Sequence, residues 1–180
     1  MRRAALACVA VLGIALAGCG GGGGGKTARY DEKGVGFTFS YPKDLAEVPV
    51  DTAEIKGRAP LARVAIGQDQ ANAVIVAHYR LAKPVEQYDP NVFQTTLDRT
   101  VLALARFQKL KPGPRKAAKV AGIPGYTYDL TDGDGVEQRL AFAFQGRDQL
   151  FVRCLWDPDP EAQKTIQAAC DEVVGSLRLR

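Results

Sequence analysis

Six consecutive glycines at positions 20–25 can neither extend a helix nor build a core, because glycine loses more backbone entropy on ordering than any other residue. They divide the chain into a short leader and a body that must fold by itself. With 180 residues in all, the body is the size of one core. A hydrophobic content of 46% with 24% charged residues is that of a folded chain, not a disordered one.

The leader has its own chemistry. Met1-Arg2-Arg3 is a basic start, residues 4–16 are an apolar run too short to span a bilayer, and Leu16-Ala17-Gly18-Cys19 follows. This order is a lipobox. Small side chains at Ala17 and Gly18 suit a signal peptidase, and the thiol of Cys19 is placed to take a diacylglycerol before cleavage makes it the first mature residue. The expected organisation is a lipoprotein signal peptide over 1–18, a lipidated cysteine with a glycine-rich tether over 19–28, and a single domain over 29–180. By random-coil scaling the tether reaches roughly 15 Å. Gly25-Lys26-Thr27 mimics the end of a phosphate loop, but the strand that must precede such a loop is missing.

Loss of Arg2 and Arg3 lowers the basic residues from 24 to 22 against 20 acidic ones, and the net charge from +4 to +2. That is too weak to argue for nucleic acid, which is not an expected partner outside the cytoplasm. One local excess, Lys109, Lys111, Arg115, Lys116 and Lys119, is a candidate contact for anionic headgroups or wall polymers, or else a solvated helix end. Of the four cysteines, Cys8 leaves with the leader and Cys19 is acylated. Cys154 and Cys170 remain as a pair in an oxidising compartment, where a disulfide is expected. The chain has no Cys-x-x-Cys and one histidine, His78, so no zinc set is expected.

Alternating apolar residues predict strands over 37–41, 62–66, 73–81, 117–120, 125–130, 136–145 and 149–155, the first entered by a hairpin from 29–31. Short connections between them predict an antiparallel meander. Two Asp-Pro steps, Asp89-Pro90 and Asp159-Pro160, each supply an N-cap followed by proline at the first helical position. They predict helices over 90–109 and 160–174. Phe93, Leu97, Val101 and Leu104 form the apolar stripe of the first, and Ala162, Ile166, Ala169 and Val173 that of the second. Gly175 is the expected stop, with 176–180 returning as a short strand. The fold class is α+β, an antiparallel sheet flanked by helices.

The segments Gly36-Phe37-Thr38-Phe39-Ser40-Tyr41-Pro42, Val120-Ala121-Gly122-Ile123-Pro124-Gly125-Tyr126 and Cys170-Asp171-Glu172-Val173-Val174-Gly175-Ser176-Leu177-Arg178, with the hairpin over 139–153, together resemble the PsbP-like superfamily. Within it they resemble most the actinobacterial envelope lipoproteins of the LpqN type. The resemblance runs from Tyr30 to Arg180 and implies an α/β/α sandwich in an accessory or binding protein. Its motifs are structural and bring no catalytic residues.

The residues agree with that implication. Two serines, Ser40 and Ser176, and a single histidine leave no serine triad in prospect. His78 shares a strand face with Val74 and Val76, as a core or edge histidine does. Asp132-Gly133-Asp134-Gly135 reads as a hairpin turn, and it fails the spacing of a calcium loop. Asp157 and Asp159 start a helix or, in a rival reading, form part of a hydrolase site. Tyr79, Tyr88, Tyr126, Tyr128 and Trp156 are aromatic candidates for core or contact surface. Trp156 either lies as a lid over Cys154 and Cys170 or meets a ligand or partner. The expected function is a lipid-anchored, extracytoplasmic, non-enzymatic module that binds an envelope protein or cell-wall component. A carrier of lipid or a small apolar ligand is the alternative. No catalytic residue, cofactor or metal is expected, and the location is the outer face of the cell membrane.

Overall fold

The computed structural model describes residues 26–50, 59–120, 122–133 and 135–180. The leader, Cys19, the glycine run and Asp134 lie outside the described residues. Among them, eleven strands and two α-helices form an α+β fold with two antiparallel sheets.

The first strand, β1 (Thr27–Tyr30), begins two residues before the expected body and pairs with β2 (Phe37–Pro42). Tyr30, Phe37 and Phe39 stack on one another at centroid distances of 5.1–6.1 Å. The last strand, β11 (Arg178–Leu179), joins β2 from its other side, so these three strands make a small sheet of their own.

The large sheet holds β3 (Ala46–Glu47), β4 (Ala62–Gly67), β5 (Ala73–Arg80), β6 (Lys111–Pro112), β7 (Lys116–Val120), β8 (Ile123–Thr131), β9 (Val136–Gln145) and β10 (Asp148–Leu155). Their spatial order is β3-β4-β5-β10-β9-β8-β6, with β7 also on β8. The predicted meander holds in two runs, β3 to β5 and β7 to β10, and breaks between them. Instead of continuing it, β5 pairs with β10, and α1 (Pro90–Phe107) carries the chain across the sheet to β6 at the far edge. Eighteen helical residues span about 27 Å, enough for that crossing.

Both faces of the large sheet are covered, which is why its central strands are apolar nearly throughout. On one face Val74, Val76, Val152 and Cys154 form a cluster with Phe37, Ile166 and other residues of the small sheet and α2 (Pro160–Ser176). On the other, Leu140, Phe142 and Phe151 pack with Leu97, Val101 and Ala105 of α1. The helix stripes follow expectation except at their ends. Ala105 is fully buried and Leu104 only partly, so the buried line continues in steps of four through Leu97, Val101 and Ala105, with Leu104 at its flank. Expected to reach 109, α1 ends at Phe107, with Lys109 at φ 61°.

Gly175 does not stop α2. It keeps helical geometry and the helix runs on to Ser176. The serine hydroxyl donates to the Glu172 carbonyl at 2.7 Å and accepts from the Ser40 amide at 2.8 Å, so the last turn is held against β2. The short final strand is confined to Arg178–Leu179.

Candidate functional site

A broad concavity lies where the start of α1 meets the sheet. Asp89 caps the helix by accepting from the amides of Asn91 and Val92 at 2.9 and 3.0 Å, and Pro90 fills the first helical position. This cap sets Phe93 edge-on against Phe144, with centroids 4.8 Å apart and planes at 84°. Tyr88, in the segment just before the cap, leans on Phe93 at 5.5 Å, and Lys83 lies 4.6 Å over the Tyr88 ring.

Phe93 thereby separates two clefts. The larger, about 960 Å³, is floored by β7, the β7–β8 turn and the start of β8, and walled by Val85, Tyr88, Pro90 and Phe93. The smaller, about 380 Å³, lies on the other flank of α1 between Tyr79, Val92, Thr96 and Gln149. Tyr88, Phe93 and Phe144 line both. A tight turn with Gly122 at φ 82° ends the floor. Next to it, Gly125 lets the Phe142 carbonyl approach where a Cβ would otherwise stand.

The wall is held by a polar network. Gln94 donates to the Tyr126 hydroxyl at 3.0 Å and accepts from Arg115 at 2.8 Å. Arg115 also reaches Asp98 at 2.7 Å and lies 5.2 Å over the Tyr126 ring. Tyr128 donates to the same Asp98 at 2.6 Å. Burial first, and then the Asp98 carboxylate, push the Tyr128 phenol well above its ordinary range. These bonds fix α1 to β8, so the cleft is preformed.

The five basic residues of the 109–119 stretch do not form one patch. Arg115 pairs with Asp98 and Lys116 with Asp129 at 2.9 Å. Lys119 lies in the cleft floor, and Lys109 and Lys111 stand near the end of α1 at the opposite end of the sheet. Cys154 and Cys170 are joined as a disulfide between β10 and α2, with Cα atoms 5.9 Å apart. Trp156 is buried at 5% exposure in the same cluster as that pair. It therefore offers no face to a ligand or partner, which corrects the second of its two expected roles.

The remaining sequence candidates are in structural bonds. His78 Nε2 is 2.8 Å from Asp148 Oδ1, which also accepts from Arg80 at 2.7 Å. Asp157 meets Asn72 through both its side chain and its amide, at 3.1 and 3.0 Å. Asp159 caps α2 by accepting from Ala162 at 2.8 Å.

Sequence reasoning named Tyr79, Tyr88 and Tyr126 as aromatic candidates for core or contact surface, but it missed Val85 and read Phe93 as part of a core stripe. The available signal was Tyr88 directly before Asp89-Pro90, an aromatic at the entrance of a capped helix. It also passed over Arg153, whose guanidinium is pushed down to about 10 by burial and donates to Gln138 at 3.0 Å.

No protein-family model and no curated protein matches the chain. Among solved structures, it is similar to the solution structure of cyanobacterial PsbP (CyanoP) from Synechocystis sp. PCC 6803, with a TM-score of 0.58 and 18% identity. That match covers 92% of this chain and 99% of the other. A crystal structure from Bacteroides thetaiotaomicron VPI-5482 aligns at a TM-score of 0.46 and 9% identity over 86% of this chain and 49% of its own. With its large antiparallel sheet, two helices and nearly complete overlap with the cyanobacterial protein, the chain has a PsbP-like fold.

Proposed function

We propose that this chain is a lipid-anchored accessory module of the LpqN type. Cys19 holds it on the extracytoplasmic face of the cell membrane, and it binds an envelope protein or cell-wall component without catalysis. The observation that carries this reading is the preformed aromatic cleft of about 960 Å³ beside α1. An open, rigid, mostly apolar concavity with a few polar groups is what recognition requires. The lipobox and glycine tether add to it, because an anchor raises the effective concentration of the cleft for a partner on the same surface. The non-enzymatic part is supported by the roles of His78, Ser176, Asp157 and Asp159, which all serve internal bonds.

The test is photocrosslinking in cells from a reactive side chain placed at Lys119, in the cleft floor, and from a control at the exposed Lys164 on α2. A discrete adduct from position 119 alone supports the reading. Identical adducts from both positions, or none from either, count against it. One observation favours a small-ligand carrier as the second reading: the two clefts share Tyr88, Phe93 and Phe144, so a rotation of Phe93 joins them. A retained lipid mass in native mass spectrometry would favour that carrier.

A further inference from the structure

The register of the large sheet defines its two ends. One row of paired residues crosses it entirely: Ala46 with Gly67, Gly67 with Ala73, Ala73 with Leu155, Leu155 with Gln138, Gln138 with Leu130, and Leu130 with Pro112. The described chain begins at one side of this row, where the Lys43 amide donates to the Lys26 carbonyl at 3.0 Å, three residues before Ala46. At the other side Pro112 follows Lys111, and α1 has just ended at Phe107. The root of the tether and the end of α1 therefore lie at the same end of the body. The cleft floor, with the β7–β8 turn and Gln145, lies at the opposite end. The nine residues of β8 put about 30 Å between the two.

The corner at the end of α1 has an unusual surface. Phe107 is 78% exposed, more than any other large apolar side chain among the described residues. Arg106, Lys109 and Lys111 around it are exposed, and none has a carboxylate within ion-pair distance among the described residues. The backbone beneath is already satisfied. The amides of Gln108, Lys109 and Leu110 bond the carbonyls of Leu104, Arg106 and Ala105 at 2.8–3.3 Å, and Leu110 is buried. Such a helix end can leave water without orphaned carbonyls. The acids of this end stand apart or are already engaged, as Asp129 is with Lys116 and Arg139. Asp69 and Asp157 converge on Asn72 beside β5, about 19 Å and four strand spacings from β6. Asp44 and Glu47 are farther still, near β3. Asp132, next to the partner of Lys111, is bonded to Glu137.

We propose that Phe107, Arg106, Lys109 and Lys111 form a foot that docks on the anionic lipid surface of the membrane carrying the anchor. The ring enters the boundary between headgroups and acyl chains, and the three cations lie on lipid phosphates. This inference rests on the lipid-anchor reading. A tether of roughly 15 Å keeps this end against the bilayer, and the foot fixes the tilt, so the cleft faces away from the membrane.

The experiment uses the full chain as purified from its membrane, reconstituted with vesicles of phosphatidylglycerol and phosphatidylcholine or of phosphatidylcholine alone. In Phe107→Trp the added indole is expected to lose at least half its emission to acyl-brominated lipid in the anionic vesicles. The parent, whose only tryptophan, Trp156, is buried, is expected to lose none. Adding Lys109→Glu and Lys111→Glu should abolish the quenching while the chain still floats with the vesicles. On the unsubstituted chain, acylation of Lys109 and Lys111 should slow at least threefold on anionic vesicles, with Lys119 reacting as before. Flotation with an unquenched indole and unprotected lysines overturns the foot and leaves the anchor standing. Loss of flotation by the chain that carries Cys19 overturns the anchor reading and the foot with it.

Discussion

Phe93 meets Phe144 edge-on at 4.8 Å, and this contact is the partition between the two clefts that flank the start of α1. Because Phe93 is only half-buried, Phe93→Ala should cost about 2 kcal/mol, less than the roughly 3–5 kcal/mol of a fully buried phenylalanine. It should also merge the clefts. The expected result is a modest fall in the urea midpoint together with tighter binding of an apolar fluorescent dye. A lower midpoint with unchanged dye binding would mean that Phe93 is packing and not a partition.

The link between Cys154 and Cys170 closes a loop with a sequence separation of 16. Reduction should destabilise the fold by about 3 kcal/mol on the loop-entropy estimate. Replacing both cysteines by alanine should cost more, since both sit at 0% exposure and their sulfur atoms fill the core. Urea unfolding with and without reductant measures the first, and the double variant measures the second.

Acid should weaken the fold through two carboxylates. Burial alone would raise Asp148, but hydrogen bonds from His78 and Arg80 and the Arg80 charge hold it below its ordinary value. Burial likewise opposes the bonds and charges of Lys116 and Arg139 that depress Asp129. A carboxyl with a lower pKa folded than unfolded stabilises the fold above its unfolded value, about 3.9, and this contribution is lost as pH falls through the folded one. The thermal midpoint should therefore hold near neutrality and drop below about pH 4. Asp129→Asn and Asp148→Asn should each lower the neutral midpoint and flatten the acid limb.

The outer edge of β7 makes a sharper prediction. An antiparallel ladder alternates pairs that exchange hydrogen bonds with pairs that do not. Val120 and Ile123 close a two-residue turn, and Lys119 faces Pro124, which has no amide hydrogen. Lys116, Ala118 and Val120 therefore bond β8, and Ala117 and Lys119 direct their amides outward. Ala117→Pro removes only an outward donor and should shift stability by less than about 1 kcal/mol. Ala118→Pro removes a ladder bond and should cost about 3 kcal/mol. Equal losses for the two variants would place the ladder in the other phase.

How much of this was legible in the sequence follows from the range of each signal. The Asp-Pro steps found both helix starts, because a cap and the residue after it act within one turn. The alternation in Phe37-Thr38-Phe39 found a strand but not its sheet, since either sheet satisfies the same pattern. Gly175 misled for the opposite reason. A glycine permits a helix stop without enforcing one, and the distant Ser40 held the next residue in the helix.

By itself, the sequence determined the capped helices, the longer strands and most of each helix stripe, all consequences of local periodicity, and it pointed to the pairing of Cys154 with Cys170, while the two-residue strands β3 and β6 left no such signal. Only the tertiary structure decided that β5 lies beside β10, that Trp156 is interior, that five neighbouring cations are scattered or paired, and that Tyr88 and Phe93 open a cleft. The reason is physical. Pairing across a sheet joins residues far apart in the chain, such as Ala73 and Leu155, and its free energy depends on which faces are covered, which no window of neighbouring residues contains.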